Sequence, residues 1–73
     1  MKTTTETTAD RVAANIRAEM GRQRVSVVEL ARRTGLSRPT VHRQVNDTGL
    51  TFDTLDRIAR ALDVDPAALL VVP

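Results

Sequence analysis

Apolar residues recur at helical spacing along most of the chain, and the breaks between the apolar stripes carry residues that start and stop helices. Val12, Ala13, Ile16 and Met20 share one face of a first helix, expected from Thr8 to Met20 with Asp10 in its first turn and Gly21 as its stop. Ser26 is placed to cap a second helix ending at Thr34, on which Val27, Leu30 and Ala31 lie together. Gly35 closes that helix, because glycine takes a left-handed backbone without steric penalty, and Leu36 fills the corner that follows. Ser37 caps a third helix running to about Val45, with Pro39 tolerated in its first turn and Val41 and Val45 facing inward. After the polar turn Asn46-Asp47-Thr48-Gly49 and Leu50, Thr51 caps a fourth helix with Phe52, Leu55, Ile58, Ala59 and Leu62 on its inner face. Asp65-Pro66 opens a last short helix through Leu70.

The pattern therefore predicts an all-α domain of five helices over residues 8–73, preceded by a polar, threonine-rich tail over residues 1–7 with no periodicity. A chain of 73 residues supports one domain and buries only about 60% of the surface its unfolded form exposes. Between Val27 and Val45 the turn is too short for a linker. Two helices crossing steeply there need a small side chain at the contact, which Ala31 supplies.

Composition removes several kinds of function. There is no cysteine and a single histidine, His42, so neither a disulfide framework nor a metal centre is expected, and no cofactor. Paired carboxylates in an apolar setting and glycine-rich phosphate loops are also missing from the sequence, which argues against an enzyme. No apolar run approaches the roughly 20 residues of a membrane span, and MKTTTETTAD lacks the apolar centre of a signal peptide, so a cytoplasmic protein is expected. The net charge of +2 conceals a segregation. From Arg11 to Asn46, eight arginines face two glutamates, a net of +6, whereas from Asp47 onward five aspartates face two arginines, a net of −3. Positive charge gathers around the second and third helices; a solvated basic face is the plain alternative, but clustering there is the footprint expected for a polyanionic partner.

The arrangement of Leu30-Ala31, Gly35-Leu36-Ser37 and Val41, followed by TFDTLDRIARALDVDPAALL, resembles the helix-turn-helix of the phage repressor and Cro family over roughly Val12 to Leu70. The resemblance implies a small lambda-repressor-like fold and a sequence-specific regulator of double-stranded DNA, of bacterial or phage origin, acting as a small repressor or Cro-like switch. It implies that the helix from Ser37 to Val45 enters the major groove. Base reading would fall to Arg38, Pro39, His42 and Arg43, with Pro39 offering only apolar contact; for His42 a plain surface position is the equal alternative. Phosphate positioning would fall to Arg24, Ser26, Ser37, Thr40 and Asn46. Two other readings stand beside this one: a protein-interaction module on the same fold, and a DNA-binding accessory factor for prophage excision.

Family members also pair an arginine in the first helix with a glutamate at the end of the recognition helix. Met20 and Val45 hold those positions here, so both partners are apolar and a contact between them is expected. Val27 stands where a phosphate-contacting glutamine is frequent, and Gln44 where an apolar residue is usual. Leu69, Leu70, Val71 and Val72 complete the core or support a weak homodimer, Leu69 favouring the core.

Overall fold

The computed structural model describes residues 7–46 and 51–71. Within them the chain forms α1 (Thr8–Gln23), α2 (Val27–Thr34), α3 (Arg38–Asn46), α4 (Phe52–Ala61) and a 3-10 helix (Pro66–Leu70). The all-α expectation holds, with a correction to its count: the fifth element is a single 3-10 segment instead of an α-helix. Five residues beginning at Pro66 are too few for a stable α ladder. Ala68 N donates to Asp65 O at 2.8 Å, closing the tighter i to i+3 ring, while Ala67 N donates to Asp65 Oδ1 at 2.9 Å. Residues 1–6 of the expected tail, the turn at 47–50 and Val72 lie outside the described residues.

The starts of the helices follow the sequence closely. Thr7 caps α1 in a reciprocal box with Asp10: its Oγ1 accepts from Asp10 N at 3.1 Å and its own N–H donates to Asp10 Oδ2 at 3.0 Å. Ser26 Oγ accepts from Glu29 N at 3.0 Å, Ser37 Oγ from Thr40 N at 3.2 Å and Thr51 Oγ1 from Thr54 N at 3.1 Å. Each such cap is worth about 1 kcal/mol, a useful amount in so small a domain.

The ends differ more. Helix α1 passes through Gly21 and stops at Arg24, which adopts φ 58°. Arg24 N donates to Gly21 O at 3.3 Å and Val25 N to Met20 O at 2.9 Å, a double closure that brings buried Val25 back toward buried Met20. Burial of that valine, which a stop at Gly21 would misplace, decides where α1 ends. The same closure recurs after α4, where Asp63 takes φ 59°, its N–H donates to Arg60 O, and Val64 N donates to Ala59 O. Gly35, at φ 77°, ends α2 as expected, with its N–H on Ala31 O at 2.9 Å.

One core holds these elements together. Val12, Ile16, Met20, Val25, Leu30, Ala31, Val41, Val45, Leu55, Ile58, Ala59, Leu62 and Leu69 form a single buried cluster. Met20 and Val45 are both members, as the paired apolar replacement requires, and α1 packs on α3. Phe52 is a correction: it is 89% exposed. It is the first residue of α4, at the rim of the core where none of the other described helices covers it, so the inner stripe begins one turn later at Leu55.

Carbonyl groups at the helix ends are met by side chains from other helices. A helix leaves its last carbonyls without partners, and charged or amide donors relieve that deficit. Arg17 of α1 donates to Val45 O at the end of α3, and Arg57 of α4 to Thr34 O at the end of α2 at 3.4 Å. Arg33 of α2 donates to Ala61 O at 3.3 Å and Gln23 of α1 to Leu62 O at 2.6 Å, both at the end of α4. Asn15 of α1 donates to Leu69 O at 2.7 Å and Val71 O at 2.8 Å. Arg17→Ala should therefore lower the unfolding free energy by about 1 kcal/mol and speed amide exchange in the last turn of α3. Unchanged exchange there would show that the Arg17 bond does not hold that turn.

Candidate nucleic-acid interface

Helix α3 divides its residues between two faces. Val41, Gln44 and Val45 are buried against the rest of the domain, while Arg38, Pro39, His42, Arg43 and Asn46 are exposed. The spacing explains the grouping, because positions 38, 42 and 46, and 39 and 43, are four residues apart and stack along one side. Together with Val27 and Val28 at the start of α2, those five outward residues line an open groove of about 830 Å³. All four expected base readers thus lie together on one surface.

The expected phosphate contacts sit at the starts of α2 and α3 and at the end of α3. Arg24 precedes α2 and Ser26 caps it, and both are exposed. Ser37 and Thr40 sit at the start of α3, where the Ser37 hydroxyl donates to Thr40 Oγ1 at 2.8 Å. Asn46 ends α3 and donates its side-chain amide to His42 O at 3.0 Å. Ser26, Ser37 and Asn46 therefore already serve the helix ends they occupy, which fixes where the backbone amides of α2 and α3 point.

Ion pairing separates the arginines into two groups. Arg22 pairs with Glu19, Arg32 and Arg33 with Glu29 at 2.6 and 2.8 Å, Arg57 with Asp53 at 3.0 Å and Arg60 with Asp56 at 2.9 Å. Among the described residues, no carboxylate pairs with Arg24, Arg38 or Arg43. The positive charge of Arg38 and Arg43 on the groove is left available to a ligand, while five other arginines are paired within their own helices.

Residues 15–73 match the family described as the Cro/C1-type HTH DNA-binding domain. The chain belongs to that family. A match was found with neither a curated protein nor a solved structure. As a Cro/C1-type domain the protein is a DNA-binding helix-turn-helix module, and α2, the Gly35 turn and α3 are the helix-turn-helix itself. Among the described residues, no helix is long and apolar enough to cross a membrane.

Sequence reasoning missed Val28 as part of the surface. It is 57% exposed, the second residue of α2, and lines the groove beside Val27, which is half-buried against the core. The available signal was its position: directly after the cap and first residue, a helix favours an acid, and this one has an apolar side chain. Glu29, next in the chain, is held by its two arginines. Hydrogen bonds from Arg32 and then Arg33 lower its carboxyl from the usual 4.5 to about 2. Because the folded value is the depressed one, the Glu29 contribution to stability is full above about pH 4.5 and lost as pH falls toward 2. Glu29→Gln should consequently lower Tm at pH 7, with the gap from wild type closing between pH 4.5 and 2; an equal gap at both ends of that range would exclude the ion pairs as its cause.

Proposed function

We propose that the protein is a sequence-specific regulator of double-stranded DNA that places α3 in the major groove. The observation that carries the reading is the outward face of α3: Arg38 and Arg43 line the groove with no carboxylate partner among the described residues, whereas five other arginines are ion-paired and Arg17 is turned to the Val45 carbonyl. Arg38 and Arg43 act as base readers, each able to present two parallel N–H donors to the acceptor edge of a guanine. Pro39 has no N–H and contributes apolar contact, and His42 lies between them on the same face. Arg24, Ser26, Ser37, Thr40 and Asn46 set the register on the phosphates.

The simplest consequence of such binding is occlusion of a promoter, the action of a small repressor or Cro-like switch. Leu69 lies in the core, so Leu70 and Val71, which are exposed, are what remains of the described tail for pairing. A monomer or weak dimer in free solution fits that small area.

Two substitutions separate the roles. On a duplex selected from a random pool, Arg43→Ala should cost about 1–3 kcal/mol and relax the choice at one base pair. Arg24→Gly should weaken selected and random duplexes alike, reduce the slope of log affinity against log salt by about one, and raise stability by relieving a left-handed backbone. Equal losses on both duplexes for Arg43→Ala would assign that residue to phosphate instead.

A further inference from the structure

Val28 has no folding reason to be apolar. It is 57% exposed and is not among the side chains packed on the core, whereas Val27 before it is. As a β-branched residue it contributes slightly less to a helix than a straight-chain residue does, and at the second position of α2 it forgoes the dipole stabilisation that Asp or Glu would gain. An acid there would, however, stand in the groove with Arg38 and Arg43 and repel phosphate. Neutrality explains the absence of an acid; it does not explain a valine in place of serine or threonine.

The groove supplies the rest of the explanation. Val28 and Pro39, from different helices, line the same concave surface, and both present only carbon to it. Arg38, His42, Arg43 and Asn46 supply its polar groups. In the major groove the one apolar group on a base edge is the C5-methyl of thymine, which is read by contact with carbon and not by hydrogen bonding. We infer that Val28 is a specificity residue: with Pro39 it forms an apolar wall that receives a thymine methyl. The inference rests on the reading of α3 as the base-contacting helix and adds a residue of α2 to the recognition surface. It also assigns a base preference to a part of that surface that has no donor.

Replacing thymine by deoxyuridine deletes that methyl and leaves every hydrogen-bonding group in place. In a duplex selected from a random pool, each thymine is replaced in turn, and affinities are measured for the wild-type protein, Val28→Ala and Pro39→Ala. At one thymine, or its symmetry equivalent, the wild type should bind about fourfold more weakly once the methyl is gone, the effect of withdrawing one buried methyl-sized group. Val28→Ala should bind the thymine and uracil duplexes with nearly equal affinity while retaining its dependence on the bases read by the arginines. Because Val28 is exposed, the variant should keep the wild-type circular dichroism and Tm. Methyl sensitivity that persists undiminished in Val28→Ala, or that disappears only in Pro39→Ala, overturns the assignment of Val28. Insensitivity of the wild type at every thymine overturns it too, and leaves the DNA reading intact. If the pool yields no preferred duplex, base reading by α3 fails and the inference fails with it.

Discussion

Helix α3 is nine residues long, too short to persist in water alone, and the side it presents outward has no protein to rest on. Its geometry is therefore set from behind. Val41 and Val45 anchor it in the core, Ser37 fixes its first turn, and Arg17 from α1 holds the carbonyl of Val45 at its last. A buried ion pair between α1 and the end of the recognition helix would carry a desolvation penalty that two apolar residues avoid. Here Met20 and Val45 lie in the core, and the charged contribution comes from Arg17, one turn earlier on α1 and bonded to a carbonyl instead of a carboxylate. The recognition helix keeps both apolar packing and a terminal hydrogen bond without a buried carboxylate.

The same economy shapes the charge distribution. A domain this small has little core to offset repulsion among ten arginines, so most exposed arginines are paired within a turn of their own helix. Such pairs contribute modestly to stability in water. Their larger effect is spatial: they silence five arginines elsewhere while Arg38 and Arg43 keep their charge on the groove. Arg24 carries an added cost, because it holds a left-handed backbone that glycine would adopt with less strain.

Helix existence and most starts were legible in the sequence because caps are local: Ser26, Ser37, Thr51 and Asp65 meet backbone groups only two or three residues ahead. Ends were less legible because they depend on distant packing. The stop at Arg24 follows from where Val25 is buried, which Gly21 does not reveal. Phe52 failed for a related reason: its spacing fits the inner stripe, but the stripe outruns the elements that cover it. In the candidate interface, α3's outward residues follow from helical periodicity, since Val41 and Val45 define the buried side. Val28 was not legible, because only the placement of α2 against α3 shows that it shares a groove with Arg38 and Pro39.

Amide chemical-shift mapping locates the DNA-facing surface directly. On titrating the isotope-labelled protein with a selected duplex, the largest changes should fall at Ser26 to Val28 and from Ser37 to Asn46. A second groove, lined by Thr8, Phe52, Leu55 and Leu70, should remain nearly unchanged. Changes concentrated around that second groove, with α3 silent, would place the DNA-facing surface elsewhere than on α3.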